Sequence, residues 1–181
     1  MDPIGIVRLG DENFEFPIME GAEAERAIDL RTLRSKTGCI AFDEGYGNTG
    51  SCESGITFIN GEKGILRHRG YPIEQLAENA TFLEVAYLLL YGDLPTKEQY
   101  NVFESSINRH TLVHEDMKRF FEAYPSQAHP MGVLSSMICS LSTFYTESLD
   151  PHRSSDLKDL TIHRLIAKMP TLAAWAYKNS I

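Results

Sequence analysis

The chain has 181 residues, of which 43% are hydrophobic and 23% are charged, a composition typical of globular proteins and not of disordered or membrane-embedded ones. Its formal net charge of −8 argues against nucleic acid or an anionic membrane as the main partner, since both carry negative charge. This length suits either one sizeable domain or a part of a larger one.

The cysteines and the N-terminus indicate the compartment. Cys39, Cys52 and Cys139 are odd in number, widely spaced and without a C-x-x-C pair, which favours a reducing compartment over a disulfide framework or a zinc site. The first residues carry no basic run before an apolar block, so we expect no secretory signal. The longest apolar run, residues 85–91, is too short to span a bilayer. We therefore expect a cytoplasmic protein.

A small β region is predicted over residues 1–65. Residues 4–9 and 14–18 alternate apolar with polar or small side chains around a Gly-Asp-Glu-Asn turn, a pattern typical of a hairpin. Two further β-rich runs follow at residues 38–43 and 56–59, and the second turns into Ile65 and Leu66.

From residue 66 to residue 181 the pattern is helical. Pro72 stands where a helix can begin, since a missing N–H costs nothing in the first turn. Thr81 and Thr96 each precede an acidic or amide residue by three positions, which matches the capping box and predicts two helix starts. Tyr100, Phe103 and Ile107 then recur at helical spacing, and a short helix is predicted over residues 115–123.

The predicted longest helix runs from Pro130 to about residue 148. It carries two apolar stripes, one of Met131, Leu134, Ile138, Leu141 and Tyr145 and the other of Val133, Met137 and Phe144. A helix that is apolar on two sides is buried on two sides. A loop then leads to a helix over about residues 156–168, and Pro170 is predicted to start a separate last segment.

Three short motifs invite a functional interpretation. Residues 45–50 match G-x-G-x-x-G, but residues 51–59 are predicted to form a strand and not the helix that a dinucleotide fingerprint needs. His110 and His114 are four apart, yet no glutamate follows the first histidine and no third ligand stands nearby, so we predict no metal site. Residues 67–69, Arg-His-Arg, suit an anion site and a solvated strand end equally well. The residues alone show no convincing catalytic constellation.

Several blocks resemble citrate synthase of the bacterial hexameric type. They are GILRHRGYPIEQL at 64–76, LEVAYLLLYGDLPT at 83–96, DLRTL at 29–33, SCES at 51–54, RHT at 109–111, SLD at 148–150 and KMPT at 168–171. These blocks stand in family order from about Ile28 onward. The resemblance implies a mainly α fold, in which a small N-terminal β region precedes the first helices of the citrate synthase large domain.

The resemblance also implies a reaction. Enzymes of this family join acetyl-CoA to oxaloacetate in the tricarboxylic acid cycle: an aspartate removes the methyl proton, histidines polarise the carbonyls, and the citryl thioester is hydrolysed. The family's acid–base residues, substrate arginines and most coenzyme A contacts lie in the portion that would follow Ile181. We therefore expect an N-terminal portion that contains no catalytic residue, requires no cofactor and is inactive alone.

One regulatory site is implied within this portion. In hexameric, NADH-inhibited members an allosteric nucleotide site is built from positions that resemble Arg109, His110, Thr111, Tyr145, Arg164 and Lys168. Like charges at 164 and 168, one helical turn apart, repel each other unless an anion lies between them. Alternatively, both cations stand near the predicted end of their helix, where the macrodipole favours positive charge. Both interpretations stay open on the sequence.

Partners follow from the same reasoning. The two-sided pattern of residues 130–148, together with the resemblance, predicts a homodimer or hexamer formed through helices 130–148 and 156–168. We expect small-molecule substrates for the intact enzyme, and neither nucleic acid nor membrane as a partner. Two alternatives stay open: a non-catalytic interaction module that pairs with full-length citrate synthase subunits, and a merely structural piece.

Overall fold

The computed structural model describes residues 3–179, which form a mainly helical structure with small N-terminal antiparallel sheets. This is the fold class that the sequence predicts. The chain divides into two compact units, residues 1–55 and 56–181. The predicted domain boundary near residue 65 stays a prediction.

The first unit is built on a three-stranded antiparallel sheet. Its strands are β1 (Ile4–Leu9), β2 (Glu12–Glu20) and β3 (Arg26–Ile28), in the order β1-β2-β3. Leu9 pairs with Glu12 across a turn in which Gly10 has φ of 63°, so the predicted hairpin is confirmed. A short helix, α1 (Leu33–Thr37), follows the sheet and buries Leu33.

The predicted strand at residues 38–43 is wrong. Gly38, with φ of 75°, ends α1, and the chain after it runs without regular structure. The apolar side chains that suggested a strand, those of Ile40 and Phe42, are exposed. A segment with a β pattern forms a strand only where a neighbouring strand supplies hydrogen bonds, and no strand in the described part of the chain pairs with these residues.

Residues 45–50 form a turn and not a nucleotide loop. The Asp43 carboxylate accepts hydrogen bonds from the backbone N–H groups of Gly47 and Asn48 and from the Thr49 hydroxyl. Residues 51–56 are neither helix nor the predicted strand, and the next strand begins at Thr57. The G-x-G-x-x-G match therefore lacks the helix N-terminus that would receive a pyrophosphate.

The second unit starts with a small sheet and continues as helices. The sheet contains β4 (Thr57–Asn60), β5 (Ile65–His68) and β6 (Tyr71–Pro72). The helices are α2 (Ile73–Asn79), α3 (Phe82–Tyr91), α4 (Lys97–Arg109), α5 (Met117–Glu122), α6 (Pro130–Phe144) and α7 (Ser155–Asn179), with a 3₁₀ turn at Thr146–Leu149. Both predicted capping boxes are confirmed, at Thr81 with Glu84 and at Thr96 with Gln99. Pro72 is the N-cap residue of α2 and not its first helical residue, so the helix begins one residue later than predicted, at Ile73.

Two helix predictions need correction. Helix α6 ends at Phe144 and not near residue 148, because Tyr145 leaves the helical conformation with φ of −129° and ψ of 63°. Helix α7 does not break at Pro170; it is one helix of 25 residues, so α6 is not the longest. A proline inside a helix costs about 3 kcal/mol, but burial of Leu172 and Ala176 beyond it offsets that cost.

Helix α7 lies between two apolar clusters. One unites α5, α6 and α7 through Met117, Phe121, Val133, Met137, Leu141, Leu172 and Ala176. The other packs Phe103 and Ile107 of α4 against Ala167 of α7, with side chains of α3 around them. The position of α7 is thus fixed by packing along much of its length. Of the helices in residues 3–179, none has the length and apolarity needed to cross a lipid bilayer.

Candidate functional site

A cavity of about 420 Å³ lies between α6, the 3₁₀ turn and α7. Its lining combines apolar, hydroxyl-bearing and basic side chains: Ile138, Cys139, Leu141, Ser142, Tyr145, Ser148, Thr161, Arg164, Leu165 and Lys168. We call it the α6–α7 cavity. Apolar walls with a few convergent polar groups are the usual make-up of a small-molecule site, and the volume lies within the usual range of such sites.

Two cations share one aromatic ring in this cavity. The guanidinium carbon of Arg164 lies 4.6 Å from the Tyr145 ring centroid, and the Lys168 ammonium lies 5.4 Å from it. The ring face is electron-rich, so each contact is attractive. Tyr145 directly follows α6, and residues 164 and 168 are one turn apart on α7. The arrangement concentrates positive charge around Tyr145.

Lys168 is 2% exposed, which is unusual for a charged side chain. Its ammonium donates hydrogen bonds to the backbone carbonyls of His110, at 2.5 Å, and Leu112, at 2.7 Å. An ammonium has three N–H groups, so these bonds leave one donor. Within residues 3–179 no carboxylate forms an ion pair with Lys168. A buried positive charge is therefore balanced by carbonyl dipoles and an aromatic ring alone.

Arg164 does have a carboxylate partner. Its Nη1 donates to Oε1 of Glu147 in the 3₁₀ turn at 2.6 Å. This bond lowers the pKa of Glu147 below its usual range, so the carboxylate is ionised at neutral pH. The Arg164 side chain is 21% exposed and that of Glu147 is 40% exposed, so the pair borders solvent.

The surroundings of His110 lower the pKa of its imidazole. Burial lowers its pKa, and the positive charges of Arg164 and Lys168 lower it further. Because its ordinary value already lies below 7, a lowered pKa keeps the imidazole neutral at neutral pH. The positive charge in the lining of the cavity thus comes from Arg164 and Lys168.

The structure brings together four of the six residues that the resemblance singled out, namely His110, Tyr145, Arg164 and Lys168. The other two have local partners outside the cavity lining. Arg109 is exposed and donates to the Ser105 hydroxyl at 3.2 Å, and the Thr111 hydroxyl donates to the Asn108 carbonyl at 3.1 Å.

The helix-end explanation for Arg164 and Lys168 is wrong. Helix α7 continues to Asn179, and the macrodipole acts only within the last turn of a helix. Lys168 lies about three turns before that end. Its charge at this position needs another reason than the helix dipole.

Sequence reasoning missed Glu147 and the carbonyl acceptors of Lys168. An acidic residue two positions after an aromatic one has no distinctive pattern, and a backbone carbonyl has no side-chain signature at all. The predicted helix over residues 130–148 also placed Glu147 inside a helix, whereas it stands in the 3₁₀ turn.

The other motifs have structural partners. His114 packs its ring 4.9 Å from the Phe144 ring, and its Nδ1 lies 3.5 Å from the Asp116 carboxylate. Residues 67–69 are half-buried at β5 and the turn after it, where Arg69 donates to the Leu89 carbonyl at 3.0 Å. No group of three histidine, cysteine or acidic side chains suited to a metal ion occurs among residues 3–179.

A second polar cluster joins α3, α4 and α7. The Tyr91 hydroxyl donates to the Asp159 carboxylate at 2.6 Å and lies 2.9 Å from His163 Nε2, while Ser106 Oγ lies 2.8 Å from His163 Nδ1. Since the single hydroxyl proton of Tyr91 goes to the carboxylate, Nε2 must carry a proton and donate to Tyr91. Burial and the bond to Asp159 raise the pKa of Tyr91, so it stays protonated.

Comparison with known proteins gives consistent matches along the sequence. The family model described as "Citrate synthase, C-terminal domain" matches residues 45–181. Citrate synthase 1 from two strains of Mycobacterium tuberculosis is 48% identical over 180 residues, covering 99% of this chain and 42% of that protein. The chain therefore spans less than half the length of these curated relatives.

Solved structures agree with the sequence matches. Citrate synthase from Thermotoga maritima is 28% identical with a TM-score of 0.63 over 77% of this chain and 35% of that chain. The enzyme from Pyrobaculum aerophilum is 27% identical with a TM-score of 0.65 over 91% and 39%. A ternary complex of the Thermoplasma acidophilum enzyme with carboxymethyl coenzyme A and oxaloacetate, at 20% identity and a TM-score of 0.67 over 77% and 36%, shares the fold.

Proposed function

The chain belongs to the citrate synthase family, and from this premise we propose that it is the N-terminal portion of an enzyme that condenses acetyl-CoA with oxaloacetate to citrate and CoA in the tricarboxylic acid cycle. The 48% identity that extends over 99% of the chain supports this proposal. We further propose that the 181-residue chain is inactive alone, and that it resides in the cytoplasm, which cell fractionation tests directly.

The arrangement of the polar side chains supports inactivity. Ser106, Asp159 and His163 are types that occur together in catalytic sites, and they lie close to one another here. However, His163 is only 8% exposed and both of its ring nitrogens are hydrogen-bonded within the fold. A general base must reach the proton that it removes, and a group enclosed between helices does not reach the methyl group of acetyl-CoA.

For regulation, we propose the hexameric, NADH-inhibited type, with NADH as an allosteric ligand of the α6–α7 cavity and not as a cofactor of the reaction. The observation that carries this proposal is the buried Lys168 ammonium, which lines the cavity, lacks a carboxylate partner in residues 3–179 and retains one donor. Tyr145 offers an aromatic surface and Arg164 a second cation. Arg109, His110 and Thr111 complete the set of candidate contacts.

NADH titration followed by fluorescence tests this site. The wild-type chain is expected to bind NADH, and Arg164→Leu is expected to weaken binding about tenfold or more, because a charge-assisted hydrogen bond contributes about 1.5–3 kcal/mol. Lys158→Leu removes a cation from an exposed position of the same helix and should leave binding unchanged. If the wild type binds and Arg164→Leu binds equally well, the nucleotide site lies elsewhere; if the wild type does not bind, the regulatory proposal fails.

For partners, we propose self-association through the helices predicted at residues 130–148 and 156–168. Large apolar side chains of α6 and α7, which contain most of these residues, reach the surface, with Met131 62% exposed and both Leu165 and Met169 38% exposed. Exposed apolar surface of this kind favours contact with another protein, and a second copy presents the same surface. The alternative module, which pairs with full-length citrate synthase subunits, would use the same face.

Light scattering on Met131→Asp tests the self-association. The wild-type chain is expected to form dimers or larger assemblies, and a buried unpaired carboxylate in their contact should shift the variant to monomers without loss of helix content. Val102→Asp introduces the same charge at an exposed position of α4 and should leave the assembly intact. A wild-type chain that stays monomeric at high concentration would contradict the proposal.

A further inference from the structure

The contact between Glu147 and Arg164 has a consequence for ligand binding. Arg164 is one of the two cations of the α6–α7 cavity, and in this structure a carboxylate of the same chain occupies its Nη1 at 2.6 Å. A carboxylate offers a guanidinium the same kind of oxygen acceptor as a phosphate does. Glu147 thus stands where an anionic ligand group would be bound.

Lys168 does not share this situation. Its two hydrogen bonds go to neutral carbonyls, so no negative charge of the described residues is paired with it and one of its three N–H groups has no acceptor among these bonds. The two cations therefore differ in their partners: the Lys168 ammonium is bonded to neutral carbonyls, whereas the Arg164 guanidinium is already paired with the Glu147 carboxylate. With Glu147 in place the three ionised groups sum to one positive charge, and without it to two.

We propose that Glu147 is an intramolecular competitor for the anion site, and that a phosphate-bearing ligand binds to Arg164 by displacing the Glu147 carboxylate. This inference rests on the proposed nucleotide site and adds its regulation. Displacement requires little rearrangement, because the Glu147 side chain is 40% exposed and extends from a 3₁₀ turn at the border of the cavity. Water can solvate the released carboxylate, which limits the cost of its release.

The competition sets the affinity of the site. An ion pair at the border of solvent contributes modestly, so its removal should tighten binding by a modest factor and not by orders of magnitude. Glu147→Gln keeps the size of the side chain and removes its charge. We expect it to lower the Kd for NADH roughly three- to tenfold relative to wild type.

The experiment titrates NADH into the full 181-residue chain and its variants at low salt. Glu78→Gln, which removes one negative charge from an exposed position of α2, is the matched control and should bind like wild type. In the Arg164→Leu background, Glu147→Gln should have no further effect, because the competition acts through Arg164. Circular dichroism and thermal unfolding establish that each variant is folded.

The outcomes separate this inference from the proposal on which it rests. The competition is supported if Glu147→Gln binds NADH more tightly than wild type, Glu78→Gln does not, and the gain from Glu147→Gln is absent in the Arg164→Leu background. If wild type binds NADH and Glu147→Gln binds equally or more weakly, the competition is refuted while the nucleotide site stands. If Glu147→Gln and Glu78→Gln tighten binding equally, net charge is the cause and the competition is refuted. If wild type does not bind NADH, the nucleotide site and the competition fail together.

Discussion

Substitution of Lys168 by methionine is expected to lower the free energy of unfolding by about 1–3 kcal/mol, although methionine fills nearly the same space. The ammonium donates to the carbonyls of His110 and Leu112, and so ties the segment after α4 to the middle of α7. A charged donor contributes more than a neutral one, and its loss leaves the carbonyl of the half-buried His110 without that donor.

An opposing effect limits the magnitude. Burial of a charge costs free energy, and methionine removes that cost, so part of the loss is recovered. The loss should prevail because Lys168 has two short hydrogen bonds and a cation–π contact to Tyr145, all of which disappear together. We therefore expect a net destabilisation.

Urea unfolding monitored by circular dichroism measures this effect. Lys158→Met, at an exposed position of the same helix, serves as the control and should change stability by less than about 0.5 kcal/mol. A Lys168→Met variant as stable as Lys158→Met would show that the bonds to residues 110 and 112 do not stabilise the fold. An increase in the free energy of unfolding would show that the buried charge of Lys168 destabilises the fold in the absence of a ligand.

Local signals in the sequence predicted local structure well. The hairpin of β1 and β2 and the helix starts at Thr81 and Thr96 depend on residues within a few positions of each other, and the structure confirms them. The errors arise where distant packing decides. Pro170 is a strong local signal for a helix boundary, but burial of residues on both sides of it keeps α7 continuous.

The same distinction holds for the candidate site. The resemblance identified Tyr145, Arg164 and Lys168, which the fold brings together at one cavity. The bonds of Lys168 could not be predicted, because they join residues 56 and 58 positions apart through backbone atoms. Glu147 was missed because its role depends on the end of α6 at Phe144, where a two-sided apolar pattern predicted further helix.

The 181-residue chain alone is expected to show no citrate synthase activity. The family relationship is established along the sequence, yet the chain spans 42% of its curated relatives, and the resemblance places the acid–base residues outside it. Enzymes commonly accelerate their reactions by a factor of about 10⁶ or more, and general acid–base groups alone contribute roughly 10²–10⁴ of that. Loss of the whole set should leave a rate indistinguishable from the uncatalysed one.

Thiol release from acetyl-CoA in the presence of oxaloacetate measures this most directly. Citrate synthase 1 from Mycobacterium tuberculosis, assayed in parallel, establishes that the conditions support turnover. We predict that the purified chain releases no thiol above the rate of a reaction without protein, with or without NADH. Oxaloacetate-dependent turnover at a rate within a few orders of magnitude of the parallel enzyme would contradict the predicted inactivity of the chain, because catalytic groups would then have to lie within these 181 residues.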